Sequence, residues 1–334
     1  MEEASWNGGT DRSRRQFLAA AAGAAAVVGT SSLLAGSEVT AREDVGDGDL
    51  GISVFSKCLQ WLDYPAMAEM AAEAGFDGVD LTVRPGGHVL PERVEDDLPR
   101  AVEAVGKAGI RIPMIVTTIT DPGDPQAEKI LKTAGRLGIR YYRPGYYRYT
   151  DSAPIKAQLD EIKPRLRDLA AMNRQYGVAG TYQNHAGVEY VGASLWDLHY
   201  LLEGLDRRWI GSQFDIRHAV LEGGTTWPVR LRLLADCINT LAVKDFYWAR
   251  QGSEWTARNC PLGEGMVDLA GYAAVLKRYA ISGPTSLHLE YALGGAEHGD
   301  RKITVEKKVV LDAMRSDLGL LRKVLGLKPD RARG

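Results

Sequence analysis

The sequence predicts an α/β fold, a parallel eight-stranded (β/α)8 TIM barrel with its helices outside, on three observations. From Gly51 onward, short β-branched runs alternate with amphipathic helical segments roughly every 30 to 35 residues, the pattern of βα units. One stop signal recurs: Ala74-Gly75-Phe76, Ala108-Gly109-Ile110, Leu137-Gly138-Ile139 and Tyr176-Gly177-Val178 each place Gly where a left-handed residue closes a helix, followed by an apolar residue re-entering the core. Three of the β-type runs end on groups able to bind metal or move protons: Tyr182-Gln183-Asn184-His185, Phe214-Asp215-Ile216-Arg217-His218 and His288-Leu289-Glu290. In a parallel barrel the carboxyl ends of the strands converge on one face, so these groups share a mouth.

In order, strands are expected over 51–55, 78–81, 111–117, 141–143, 180–183, 210–215, 238–244 and 286–290. Between them the 3.6-residue period predicts helices over 64–74, 94–108, 126–137, about 153–176, 194–203, 227–235, 268–279 and 305–325. Ser194 is a helix cap, with Asp197 in the capping-box position. The rival architecture, a doubly wound open sheet, would want a Gly-rich phosphate turn after the first strand, and Val54-Phe55-Ser56-Lys57-Cys58 has none. The longest connection, 245–266, carries Trp248 and Trp255. It reads as a lid or binding loop, or as a solvated excursion whose tryptophans pack on the outer helices.

The amino terminus is not expected to belong to the barrel. Ser13-Arg14-Arg15-Gln16-Phe17-Leu18 precedes an Ala-rich apolar run and then Val39-Thr40-Ala41, which together read as a twin-arginine export signal over 1–41. The run is too diluted by Gly and Ala to span a membrane stably. The expected plan is signal 1–41, linker 42–50, barrel 51–326 and tail 327–334, with the mature protein periplasmic or extracellular. Composition suits one large domain: 45% hydrophobic and 25% charged, with a formal net charge of −2. There is no basic stripe for nucleic acid. Cys58, Cys237 and Cys260 lie far apart, without the spacing of a disulfide framework or a zinc knuckle.

With these runs assembled, the chain resembles the xylose-isomerase-like barrel superfamily of sugar isomerases and epimerases, over nearly all of 51–325. Tyr182-Gln183-Asn184-His185, Phe214-Asp215-Ile216-Arg217-His218, Val243-Lys244-Asp245-Phe246, Pro261-Leu262-Gly263-Glu264-Gly265 and Glu290-Tyr291 carry the likeness, which is strongest to exported proteins of the sugar phosphate isomerase/epimerase type. The resemblance implies a divalent metal held by Glu, Asp, His and Glu on strands five to eight. Here Gln183 stands at the first position, Asp215 and Glu290 match, and Ala242 replaces the His. It further implies substrate-side roles for His218 and Glu189.

Two carboxylates and an amide oxygen make a hard site, better suited to Mg²⁺ or Mn²⁺ than to Zn²⁺. The alternative is that Asp215 and Glu290 are tied up with Lys244 and Arg217. Catalytic candidates are Glu290, His218, His185 and Lys244, the last facing inward if Ala242 does. Arg84, His88, Tyr146, Arg217 and Trp248 join Glu189 as substrate-binding candidates. His185 is open between site and structural hydrogen bond, and His288 shares the facing of Glu290 one layer deeper.

Because an amide cannot remove a proton, Gln183 leaves Glu290 as the only matching base. The first expectation is therefore an exported sugar isomerase or epimerase acting by metal-assisted proton transfer α to a carbonyl. The second is a keto-sugar lyase or dehydratase, eliminating from 3-keto-glycosides, and the third a carbohydrate-binding barrel without catalysis. The expected partner is a small sugar or keto-sugar, and a homo-oligomer is left open.

Overall fold

In the structure, a computed structural model describing residues 51–327, eight parallel strands close into a barrel in the order β1-β10-β7-β6-β5-β4-β3-β2. These strands are β1 (Ile52–Phe55), β2 (Gly78–Thr82), β3 (Arg111–Val116), β4 (Tyr141–Arg143), β5 (Ala179–Gln183), β6 (Ile210–Asp215), β7 (Ile238–Val243) and β10 (Thr285–Leu287). Pairing of β1 with β10, Ile52 opposite Thr285, completes the circle. The expected export signal and linker, and all but the first residue of the expected tail, lie outside the described residues. Among the described residues no helix is long and apolar enough to cross a membrane.

Every position of β1, β2, β5 and β6 is buried, as expected for strands covered on one side by helices and on the other by the barrel interior. The covering helices are α1 (Tyr64–Ala74), α2 (Val94–Lys107), α3 (Ala127–Arg136), α4 (Ile155–Tyr176), α5 (Trp196–Leu202), α6 (Ile216–Gly223), α7 (Trp227–Leu234), α8 (Leu269–Arg278) and α9 (Lys307–Leu325). Neighbours pack in sequence, α1 on α2, α2 on α3 and α3 on α4, and α9 returns to α1.

The four glycine stops share one geometry. Gly75, Gly109, Gly138 and Gly177 have φ of 96°, 75°, 79° and 69°. The next N–H reaches back five residues each time: Phe76 to Ala71 at 3.0 Å, Ile110 to Val105 at 3.3 Å, Ile139 to Ala134 at 3.0 Å and Val178 to Asn173 at 3.1 Å. That satisfies a helix-end carbonyl while the apolar side chain is buried. At the start of α5 the cap differs from the expected one: Leu195, at φ 66°, is the N-cap residue and has no side-chain cap, while Ser194 one residue earlier accepts at Oγ from Asp197 N–H at 3.4 Å.

Three elements differ from the expected ones. The 245–266 connection is not an irregular loop: β8 (Asp245–Gln251) and β9 (Glu254–Cys260) form an antiparallel hairpin with Gln251 opposite Glu254. Its turn is Gly252-Ser253, with Gly252 at φ 62°. Helix α6 begins directly after β6 because the Asp215 side chain caps it, accepting from His218 N–H at 3.1 Å. Strand β10 stops at Leu287, so Glu290 stands three residues beyond the ladder, at the rim of the mouth. Cys58, Cys237 and Cys260 are all free.

Candidate active site

The carboxyl ends of the strands enclose a cavity of about 170 Å³ lined by Phe55, Lys57, Arg84, Arg143, Tyr146, Gln183, His185, Lys244, His288 and Glu290. Lys57, Arg143, Tyr146, Gln183, Lys244 and Glu290 form one connected network through Asp215. Glu290 Oε1 accepts from Lys57 Nζ at 2.8 Å, and Oε2 accepts from Lys244 Nζ at 2.9 Å. Lys244 Nζ also lies 3.4 Å from Asp215 Oδ2, bridging the two carboxylates. Asp215 Oδ2 accepts from Gln183 Nε2 at 2.8 Å. Gln183 Oε1 accepts from Arg143 Nη1 at 2.8 Å and from the Tyr146 hydroxyl at 2.5 Å. Asn184 locks Asp215 in place by two bonds to its backbone.

Burial and charge decide the protonation states. Burial pushes the Glu290 carboxyl up, but Lys244, His288 and Lys57 together override it and hold it well below the usual carboxylate range. Burial disfavours the Lys244 ammonium, yet Asp215 and Glu290 raise it above its ordinary value. His185 and His288 are pushed down to about 4, and His218 well below its ordinary value, by burial first and by Lys244 among the charges. At neutral pH the mouth therefore holds a carboxylate, an ammonium and three neutral imidazoles.

The two imidazoles beside Asp215 are different tautomers. His185 Nδ1 faces the Ala186 carbonyl oxygen at 2.8 Å, so Nδ1 carries the proton and Nε2 keeps its lone pair. His218 Nδ1 accepts from Arg217 Nη1 at 3.2 Å, so its proton sits on Nε2. Of the pair, centroids 4.1 Å apart and tilted by 39°, only His185 keeps a ring-nitrogen lone pair without a partner.

Other expected residues fall elsewhere. His88 hydrogen-bonds Thr82 Oγ1 at 3.3 Å and the Leu59 carbonyl at 3.1 Å, a buried tie away from the cavity wall. Glu189 is an exposed partner of Arg148 at 2.8 Å. Arg217 lies over the Phe246 ring at 5.0 Å, behind His218. Trp248 stands 41% exposed on β8. Lys57 and Arg143 were missed, although the signal that singled out β5, β6 and β10 applies to them: Arg143 is the last residue of β4, and Lys57 follows β1 by two. Asp80 was also missed. It lies fully buried with Oδ2 accepting from Ser286 Oγ at 2.6 Å, and burial raises its carboxyl to about 6.

A divalent cation would need oxygens of Gln183, Asp215 and Glu290 to converge on one point, and the side chains do not fit it. The Lys244 ammonium holds the place between the two carboxylates. Gln183 turns its oxygen to Arg143 and its NH₂ to Asp215, and flipping the amide would set N–H donors against the guanidinium. Ala242 offers no ligand, and among the described residues no group of three or more His, Cys, Asp or Glu stands together to hold an ion.

The barrel and its mouth define the class of protein, and comparison with known proteins defines the family. The chain belongs to the xylose isomerase-like TIM barrel family, whose profile matches residues 68–306. Among solved structures it is similar to a D-psicose 3-epimerase from Clostridium cellulolyticum H10, with TM-score 0.61 and 14% identity over 82% of this chain and 99% of that one. It is also similar to a 3-keto-D-glucoside 4-epimerase from E. coli, with TM-score 0.61 and 14% identity over 82% of this chain and 100% of that one. A third is a probable 3-DHS dehydratase from Bacillus anthracis, with TM-score 0.62 and 14% identity over 81% and 98%. At such identity these likenesses concern the fold. No curated protein matches the chain.

Proposed function

We propose that the protein is a sugar isomerase or epimerase that moves a proton α to a carbonyl, with Glu290 and His185 as the proton-transfer groups and Lys244 with Lys57 as the charge that stabilises the enolate. The single observation that carries this reading is the pairing of an ionised carboxylate with an imidazole whose Nε2 lone pair is free, both lining one cavity. They come from strands separated in the barrel by β7 and β6, which suits groups addressing opposite faces of a planar intermediate. Glu290 takes the α-proton, the C–H electrons form the enolate double bond, and the carbonyl oxygen gains charge beside the ammoniums. A substrate oxygen that draws either lysine away from Glu290 raises the basicity of the carboxylate. Once Glu290 has passed its proton through water to His185 Nε2, the imidazolium returns it to the opposite face and inverts the centre, leaving the carboxylate and the neutral imidazole as they began; return from Glu290 to the neighbouring carbon, with the hydroxyl proton moving between the two oxygens, isomerises it. No step in this reading passes through a metal. Export by the twin-arginine route to a periplasmic or extracellular location is part of the same proposal.

A second reading, a lyase or dehydratase on keto-sugars, is favoured by the amide at 183. With the enolate formed, its electrons expel a β-substituent, which takes a proton from an acid at the mouth, and no second base is required. NMR of keto-sugars and 3-keto-glycosides in deuterium oxide separates the two. Solvent deuterium in an isomer or epimer supports the first, and a released substituent with an unsaturated ketone the second. Glu290→Gln should lower turnover by about 10²–10⁴-fold in either case. Undiminished turnover in that variant would sink both, and no reaction with any keto-sugar would favour a carbohydrate-binding barrel.

A further inference from the structure

The cationic groups of the mouth are not equally occupied. Lys57 and Lys244 are both paired with Glu290, and Lys244 with Asp215 as well. Arg84 and Arg143 line the same cavity and, among the described residues, neither has a carboxylate within ion-pair distance. The Arg84 guanidinium lies against the face of Phe55, its carbon 5.7 Å from the ring centroid. Arg143 uses Nη1 on Gln183 and Tyr146, while its Nε is buried without a partner in a residue only 7% exposed. Asp80, the other acid in the interior, is bonded to Ser286; its charge acts on both arginines, but it makes no direct ion pair with either.

Two guanidiniums that share a pocket with no carboxylate in direct contact repel each other, and burial together with Arg143 lowers the Arg84 pKa against the weaker pull of Tyr146, Asp80 and Glu290. The protein nonetheless holds Arg84 firmly from below. Its N–H donates to the Val89 carbonyl at 3.1 Å, its carbonyl accepts from Gly87 N–H at 2.8 Å, and Arg301 and Gln60 bind the carbonyls of Gly86 and Gly87. A fixed backbone under an unpaired fork of N–H donors is what recognition of a planar or tetrahedral oxyanion requires.

We propose that the ligand of this cavity carries an anionic group, a sugar carboxylate or a sugar phosphate, received by Arg84 and Arg143 on the side of the mouth away from the Lys244 ammonium. The inference rests on the proposed function only in taking this cavity as the substrate's place. Lys57 and Lys244 remain with the reacting carbonyl, so anchoring and chemistry use separate cations.

Calorimetric titration of the full chain with glucuronate, galacturonate, glucose 6-phosphate and fructose 6-phosphate, beside neutral glucose, galactose and fructose, tests it. At least one anionic sugar should bind tenfold or more tightly than its neutral parent, and the acid or the phosphate showing that margin identifies the oxyanion. Arg84→Met should erase the margin. Equal binding of neutral and anionic sugars, no binding by any anionic sugar, or acetate and inorganic phosphate binding as tightly as the sugar anions would each overturn the proposal. Retention of the full margin by Arg84→Met with a wild-type melting temperature would do the same. Failure here is separable from failure of the proton-transfer reading. Solvent deuterium incorporated into a neutral keto-sugar without preference for anions leaves that reading standing, and tight anion binding with no exchange in any substrate does the reverse.

Discussion

Replacing Lys244 by Met keeps most of the buried stem and removes the charge that joins the two carboxylates of the mouth. The ammonium lies 2.9 Å from Glu290 and 3.4 Å from Asp215, with the Lys244 and Asp215 side chains 4% and 0% exposed. Removing one partner of such a buried pair costs about 3–5 kcal/mol, because the other is left uncompensated. Here the two acceptors suffer unequally. Glu290 keeps Lys57 at 2.8 Å and is 18% exposed, whereas Asp215 keeps only neutral donors, Gln183 Nε2 at 2.8 Å and the His218 N–H at 3.1 Å. The expected loss is therefore at the low end, about 3 kcal/mol, nearly all of it through Asp215. Urea unfolding followed by fluorescence and circular dichroism, with coincident transitions, measures it. Asp215→Asn in the same background should recover part of the loss, giving a coupling energy of about 1–3 kcal/mol in a double-mutant cycle. A single-variant loss below about 1 kcal/mol, or additivity with Asp215→Asn, would refute the bridging role.

Acid should weaken the fold before ordinary carboxylates titrate. His88, His185 and His288 lie at about 4 and His218 well below the usual 6.5, so their contribution is complete above 6.5 and is lost as pH falls toward 4. Asp80 and Asp317, raised from 3.8 to about 6, work the other way and gain stability as pH falls from about 6 to 3.8, across most of that window. Four histidines against two aspartates leave about two protons taken up on unfolding near pH 5, a slope of roughly 2–3 kcal/mol per pH unit. Melting temperatures that stay flat between pH 7 and 4.5 would contradict these assignments. Wild-type chain should not bind Mn²⁺ at the mouth, whereas Lys244→Met combined with Gln183→Glu supplies a third carboxylate, vacates the ammonium's place and should gain a Mn²⁺ site, read by the loss of the free-ion electron paramagnetic resonance signal. Equal Mn²⁺ binding by the wild type would show that Lys244 does not exclude the ion. Exported protein should begin near Arg42; amino-terminal sequencing that still finds Arg14-Arg15 would reject the signal.

The barrel was legible because its signals are local and repeated. A Gly at φ near 70–96° with an apolar residue after it recurs at positions 75, 109, 138 and 177, and each occurrence is a complete helix end within six residues of chain. The hairpin β8–β9 was just as local: Gly252-Ser253 between alternating residues is a two-residue turn. It went unread because Trp248 and Trp255 drew the segment toward a lid. The limits of α6 and β10 were harder. Asp215 ends a strand and caps a helix at once, and only the His218 N–H bond reveals the second role.

The site was legible in its residue types and not in its electrostatics. Glu290, Asp215, Lys244, Gln183 and His185 stand at strand ends, and the parallel barrel brings every such end to one face. Which of them carries charge depends on partners that closure supplies from distant points of the chain. Lys57 meets Glu290 across 233 positions and Gln183 meets Arg143 across 40, and no local pattern announces either pair. The tautomers show the same limit in smaller compass. His185 and His218 look alike in sequence, yet one donates its Nδ1–H to the neighbouring carbonyl and the other accepts at Nδ1 from Arg217 Nη1. The free lone pair on His185 is thus decided by where two adjacent groups point after folding. Together with the Lys244 ammonium at the convergence of Asp215 and Glu290, it is what supports the proposal of proton transfer by these side chains.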